Sequence, residues 1–238
     1  MTDARRAQLA ASLAEVRERI ARAAAAAGRE PDAVTLIAVT KTYPADDVEL
    51  LAGLGVTDVG ENKDQEAAAK HAAVSAPLRW HWIGQLQRNK AKSVVTYADV
   101  VESVDSLRLA AALDRAAGRL RDTPLDALVQ VSLDGDPARG GAVADGTDPE
   151  RDLWRVADAV AAAPALHLAG VMAVAPVGWD PDRAFALLRE LSTRLTGAHP
   201  GATTVSAGMS NDLEQAVAHG ATHVRIGTSL LGMRNLLR

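Results

Sequence analysis

Eight short apolar runs, each followed by a helical stretch, constrain this 238-residue chain more than any other feature of its sequence. The runs are Val34–Thr40, Thr57–Gly60, Trp80–Ile83, Val100–Val104, Leu125–Val131, Leu168–Val174, Thr203–Ser206 and His223–Ile226. They are brief, rich in Val, Ile and Thr, and bounded by Gly, Pro, Asp or Asn, which is how strands buried on both faces read. Between them, helices are predicted over 46–54, 63–75, 87–95, from Asp105 or Ser106 as cap to Arg121, and over 150–162, 181–196 and 211–219.

Strand and helix in strict alternation specify a parallel sheet with helical crossovers. Two closures are open to such a sheet. An open doubly wound sheet carries a glycine-rich turn after its first strand, and here that turn is Lys41-Thr42-Tyr43-Pro44. Eight units in this length suit a closed α/β barrel of the (β/α)8 TIM type. The expectation is therefore one domain, residues 1–238, with an extra amino-terminal helix over 3–27, where Leu9, Leu13, Val16 and Ile20 recur at helical spacing. Leu133–Asp148, rich in Gly, Asp and Pro, is predicted to be a long mobile loop.

Composition removes several classes of function. There is no cysteine, which excludes disulfides, thiolate zinc sites and a cysteine nucleophile. The six histidines show no metal-ligand spacing, so no metal is expected. A net charge of −4 and no long basic block give no sign of nucleic acid or an anionic membrane as partner. Arg5, Arg6, Glu15, Arg17, Glu18, Arg19 and Arg22 interrupt the alanine-rich start, leaving no apolar core for a signal peptide or a span, and the expected location is the cytoplasm.

In a barrel of this kind the chemistry sits at the carboxyl ends of the strands. Lys41 ends the first run. Burial there would disfavour its charge and leave an amine able to attack an aldehyde; the competing reading is a packed stem with its head in water. Ser206-Ala207-Gly208-Met209-Ser210 follows the seventh strand and leads towards a helix at Asn211, and Gly227-Thr228-Ser229 follows the eighth. Both suit a phosphate cup, in the place that such barrels reserve for one. Helix capping by Ser210 or Asn211, and tight packing at Gly227, are the alternatives. Arg225, a pure donor, is suited either to a ring nitrogen or carboxylate of a ligand or to a buried ion pair. An aldehyde, an aromatic nitrogen and a phosphate are the groups such a site would bind, and pyridoxal phosphate carries all three.

AVTKTYP at 38–44, GENKDQE at 60–66, WHWIGQLQRNK at 80–90, GVMAVAP at 170–176, SAGMSNDLEQAVAHG at 206–220 and VRIGTSLLG at 224–232 resemble the pyridoxal phosphate homeostasis protein family, which is similar to the amino-terminal barrel of alanine racemase. The resemblance implies that Lys41 forms the internal aldimine with pyridoxal 5'-phosphate and that Asn62 lies near the ring and its hydroxyl. It assigns Ser206, Gly208, Met209, Ser210, Gly227 and Thr228 to the phosphate, and Arg225 to the pyridine nitrogen. His81 and Met172 match family positions at the barrel top or serve packing. In the fifth-strand motif, where the family tends to have Q-V-N with a later glutamate and lysine, this chain has Gln130-Val131-Ser132 followed by Asp136 and Arg139; arginine forms no imine, so the role of a second lysine in this loop does not carry over.

The resemblance implies a carrier in intracellular cofactor homeostasis and delivery, with no dedicated catalysis, whose recipients would be apo forms of pyridoxal phosphate enzymes. Arg225 would weaken the ring as an electron sink. Racemisation also needs an acid–base group opposite the lysine, which alanine racemase takes from a second domain, whereas this sequence ends at Arg238 and offers only Tyr43 and Tyr97. Monomer is the matching expectation. The alternatives are a small amino-acid racemase with Lys41 as base, and a barrel for another phosphorylated metabolite with Lys41 as an electrostatic contact.

Overall fold

The computed structural model describes residues 2–136 and 139–232. Its eight strands are β1 (Thr35–Val39), β2 (Asp58–Glu61), β3 (Arg79–Trp82), β4 (Val100–Val104), β5 (Leu125–Val131), β6 (Leu166–Ala173), β7 (Thr204–Ser206) and β8 (His223–Ile226). All pair in parallel, each with its neighbour in sequence, and β8 pairs back with β1. The closing register sets Thr35 beside His223 and Ile37 beside Arg225. The predicted (β/α)8 barrel is the observed fold.

The helices are α1 (Thr2–Ala26), α2 (Ala45–Gly53), α3 (Asp64–Ala73), α4 (Ala91–Val94), α5 (Leu107–Leu120), α6 (Leu153–Ala162), α7 (Pro181–Ala198), α8 (Leu213–Ala218) and α9 (Thr228–Leu231). Ser106 caps α5, accepting from the Leu109 amide at 3.4 Å. The helix predicted over 87–95 is a 3-10 turn at Arg88–Lys90 followed by the single turn of α4. Helix α8 opens two residues later than predicted, because the Met209 amide donates to Asp212 Oδ1 at 2.6 Å and holds the preceding segment as a turn. Helix α9 has no counterpart in the sequence reading. No helix among the described residues is long and apolar enough to cross a membrane.

Side chains alternate across each strand, so one set faces the helices and the other fills the barrel. Val224 and Ile226 of β8, with Ala38 of β1 and Val59 of β2, share an apolar cluster with Leu9, Leu13, Val16 and Ile20 of α1. This buries the face of α1 that the sequence marked as apolar. Arg5 and Arg19 tie α1 down further, through Asp47 and Glu214 respectively. Inside the barrel, Val100, Leu128 and Met172 form a small apolar layer. Met172 is thus a packing residue, one of the two roles the sequence left open for it.

The 133–148 segment carries more structure than a mobile loop would. Ala142 bonds to both sides of the end of β5, through Gln130 O at 2.7 Å and Ser132 N at 2.8 Å, and Val143 pairs with Arg151 and Leu153 at 2.8 Å. Ala142 is fully buried, so apolar contact holds the middle of the segment in place.

Gly170 marks where the barrel is tightest. Its φ is +152°, and a Cβ built there would lie 1.9 Å from Thr204 O on β7. The partner is backbone and cannot move without opening the β6–β7 pairing. Gly170→Ala is therefore expected to abolish soluble expression or to lower the urea midpoint far more than Gly118→Ala, whose added Cβ would meet Ala165 at an ordinary 3.5 Å.

Candidate functional site

β1 ends at Val39, and the chain then turns over Thr40–Tyr43, with the Tyr43 amide donating to Thr40 O at 3.1 Å. Lys41 and Thr42 are the two central residues. Thr42 has φ +71°, the only positive value at a non-glycine position among the described residues. A turn with positive φ at its third residue normally carries Gly or Asn there; a β-branched side chain in this region costs about 1–3 kcal/mol unless its surroundings enforce it.

The enforcement comes from a buried cluster beside the turn. Lys70 of α3 donates to Thr40 O, Glu61 Oε1 and Glu66 Oε1, each at 2.7 Å. Glu61 Oε1 also accepts from Thr40 Oγ1 at 2.7 Å, and Glu66 Oε1 accepts from the Thr42 amide at 2.5 Å. Burial pushes the Glu61 carboxyl above the usual range against the pull of these bonds. For the more open Glu66 burial acts the same way, but the bonds from Lys70 and Thr42 prevail and its carboxyl is lowered.

The sequence predicts Lys41 at the end of a buried strand, and the structure differs. Its side chain is exposed and makes no hydrogen bond or ion pair among the described residues. The strand stops two residues earlier, and the turn carries Lys41 clear of the core. Of the two readings the sequence left for this lysine, the structure shows the one with its head in water, at the barrel's carboxyl face.

Asn62 follows β2. Its Oδ1 is buried and finds no partner among the described residues, although buried carbonyl oxygens are nearly always bonded. Gly84, just past β3, lies so close that a Cβ on it would sit 2.6 Å from Asn62 Cβ.

After β7, Gly208 has φ +90°, and a Cβ there would lie 2.6 Å from Ala216 Cβ, so only glycine fits. Met209 is exposed, and Ser210 O accepts from Arg19 at 2.6 Å. After β8, Gly227 precedes the exposed Thr228 at the start of α9, and the Thr228 and Ser229 amides donate to no acceptor among the described residues. A Cβ at Gly227 would meet Val39 at 3.4 Å, which is ordinary contact. Lys41, Asn62 and these two turns thus follow four consecutive strands, in the order β7, β8, β1, β2 around the barrel.

Ser206 and Arg225 are placed deeper than a phosphate turn. Arg225 is 4% exposed; its Nη1 donates to Ser206 Oγ at 2.7 Å and its Nη2 to Ala173 O at 2.9 Å. The Ser206 hydroxyl donates to Glu102 Oε2 at 2.6 Å, and that carboxylate lies 3.7 Å from Arg225. Glu102 Oε1 is 2.7 Å from His81 Nδ1, and His81 Nε2 is 2.9 Å from Asp58 Oδ1. A polar chain therefore crosses the barrel interior from Asp58 through His81, Glu102 and Ser206 to Arg225. The carboxylate partner that the sequence left open for Arg225 is Glu102, and His81 belongs to the same chain.

The charges in this chain sustain one another. Burial alone would lower His81, but its bonds to Asp58 and Glu102 raise it above the ordinary histidine value. Burial alone would raise Glu102 and Asp58, and their bonds to His81 lower both. His223, with ring centroid 6.2 Å from that of His81, is pushed down by burial and by the charge on His81.

Neither tyrosine stands opposite Lys41 as a free acid–base group. Tyr43 donates to Gly232 O at 2.5 Å, and Tyr97 is buried with its hydroxyl 3.3 Å from Asp64. Arg139 pairs with Asp134 and donates to Ala175 O. No cluster of three or more histidines and carboxylates able to hold a metal occurs among the described residues.

The sequence reading missed the Glu61–Glu66–Lys70 cluster and the Asp58 and Glu102 members of the interior chain. The signals were present: carboxylates inside short buried strands are rare unless paired, and Glu66 stands four residues before Lys70.

Comparison with known proteins agrees with the fold. The family model for the alanine racemase N-terminal domain matches residues 11–235. The pyridoxal phosphate homeostasis protein of Mycobacterium leprae is 44% identical over 247 residues, covering 98% of this chain and 95% of its own. The structure of PipY from Synechococcus elongatus with pyridoxal phosphate bound superposes with a TM-score of 0.80 at 36% identity, covering 94% of this chain and all of that one. Alanine racemase from Corynebacterium glutamicum shares the fold, with a TM-score of 0.66 at 15% identity, covering 94% of this chain and 63% of that one.

The interior chain makes stability depend on pH in a stated direction. His81 is raised, so its contribution is full below about pH 6.5 and is lost as pH climbs through its folded value. Asp58 and Glu102 are lowered, so theirs is present above about pH 4 and lost as pH falls through their folded values. Urea midpoints are expected to fall on both sides, and His81→Gln is expected to cost about 3–5 kcal/mol near pH 6, a gap that narrows towards pH 9.

Proposed function

This chain belongs to the pyridoxal phosphate homeostasis protein family, built on the barrel of the alanine racemase N-terminal domain, and on that premise we propose that it binds pyridoxal 5'-phosphate, held covalently on Lys41, and acts in intracellular homeostasis and delivery of the cofactor. The observation that carries this reading is the sequence of four adjacent strand ends bearing Lys41, Asn62 and the two glycine turns, in a fold that PipY shares with the cofactor bound. The residues fit the group: the unpartnered Asn62 Oδ1 is an acceptor for a ring hydroxyl, and the undonated amides at Thr228 and Ser229 suit an anion.

When bound, pyridoxal phosphate supplies an aldehyde for covalent attachment and a pyridine ring able to draw electrons from an attached amino acid. The protein's own part is to hold it. Lys41 presents its amine from the turn after β1. The backbone at Gly208–Ser210 and Gly227–Thr228 takes the phosphate, while Ser206 acts from beneath by fixing Arg225. Arg225, a donor held by Glu102, Ser206 and Ala173, would keep a proton off the ring nitrogen, because two cations do not share one site.

That arrangement suits storage better than catalysis. Turnover with inversion at carbon needs an acid–base group on each face, and both tyrosine hydroxyls are engaged elsewhere. One barrel supplies every contact proposed, so the reading needs only a single chain, and a monomer is the state we propose. Apo forms of pyridoxal phosphate enzymes are the recipients it implies.

The purified protein with pyridoxal phosphate is expected to absorb in the visible. Borohydride followed by peptide mapping is expected to mark Lys41 among the five lysines (Lys41, Lys63, Lys70, Lys90, Lys92). Lys41→Ala is expected to lose both signals, whereas an unmodified wild-type protein would leave a barrel for another phosphorylated ligand. Exchange of amino-acid α-protons with solvent deuterium is expected to be negligible; robust exchange with loss of configuration would favour the racemase reading.

A further inference from the structure

Lys41 itself is untethered, yet both of its chain neighbours are tied to one ammonium group. Lys70 is 5% exposed and donates three hydrogen bonds to the turn and its surroundings: one to the carbonyl of Thr40, one to the carboxylate that holds the Thr40 hydroxyl, and one to the carboxylate that holds the Thr42 amide. An alanine-rich helix surface would otherwise carry such a lysine into water. Instead it reaches inward, where its charge loses its hydration. What it does achieve is to fix a threonine at φ +71°, and with it the direction in which the Lys41 side chain leaves the backbone.

We propose that Lys70, acting through Glu61 and Glu66, is a positioning residue that holds the Thr40–Tyr43 turn so that the Lys41 amine is presented for reaction with an aldehyde. The inference rests on the reading of Lys41 given above. The reaction joins Lys41 Nζ to the aldehyde carbon and releases the aldehyde oxygen as water, so it consumes no oxidant or reductant. Lys70 does not touch the reacting atoms. Its effect is on how often the amine points the right way.

Three variants separate this role from simple support of the fold. Lys70→Met removes the hub. Glu66→Ala removes the tether on the Thr42 amide together with one of the Lys70 bonds, at a partly exposed carboxylate, and leaves the Lys70 bonds to Thr40 and Glu61 in place, so it tests the idea even where Lys70→Met does not fold. Thr42→Gly in the Lys70→Met background supplies a residue that adopts positive φ without enforcement.

The readouts are the rate of borohydride trapping of pyridoxal phosphate on Lys41 and hydrogen exchange at the Thr42 amide, the latter measured without added cofactor. Trapping is expected to slow by about 10- to 100-fold in Lys70→Met and Glu66→Ala, the scale on which misplacement of a reacting group by about 1 Å acts. Thr42 exchange is expected to accelerate in both, and Thr42→Gly to recover most of the lost trapping rate. Trapping at the wild-type rate in both single variants would overturn the proposal while leaving Lys41 as the attachment site. If the wild-type protein is not trapped on Lys41, the cofactor reading fails and the proposed role in presenting the amine falls with it.

Discussion

Everything at the carboxyl face of this protein depends on the parallel pairing of β8 with β1. That pairing sets Ile37 beside Arg225 and closes the sheet, and it is the step that brings the turns after β7 and β8, from the last 35 residues of the sequence, next to a lysine at position 41. No local preference could do this. An open sheet with the same strands would leave the Lys41 turn and the Gly227 turn on opposite edges, with unpaired backbone along both.

Closure also creates an interior that the chain fills in an unusual way. Branched apolar side chains in layers are the common filling of such barrels. Here an apolar layer of Val100, Leu128 and Met172 is accompanied by a crossing of Asp58, His81, Glu102, Ser206 and Arg225. Burying ionised groups costs free energy that their mutual attraction only partly returns. The crossing ends on Arg225, and each member is held by the next, so the arrangement trades some stability for a fixed orientation of one guanidinium.

A similar exchange occurs outside the barrel wall. Thr42 occupies a conformation that suits glycine, and the Lys70 cluster compensates by bonding to both sides of the Lys41 turn. The two polar clusters have a common logic. Neither contains the Lys41 amine, yet each fixes a residue of the site proposed for the cofactor. Strain in a backbone persists where surrounding contacts over-determine it, and here those contacts come from β2 and α3.

By itself, the sequence determined the barrel, because eight alternations of short apolar runs and helices have few other closures, and it placed Lys41, Asn62 and the two glycine turns at the carboxyl face, because each lies within a few residues of a strand's end. It also gave the apolar face of α1 correctly. It could not give the ends of elements that depend on a single side chain, such as the delay of α8 by Asp212, or the anchoring of the 133–148 segment through buried Ala142. It left Lys41 open between a buried and a water-facing reading, and it did not reveal that Lys70 is buried. A lysine after an apolar strand admits either reading, and a lysine in an alanine-rich helix looks solvated, when each is read in its own neighbourhood. Only the tertiary structure decided between them, because burial depends on which acceptors the fold brings within hydrogen-bond reach, and Glu61 reaches Lys70 from β2 and Thr40 from the turn after β1.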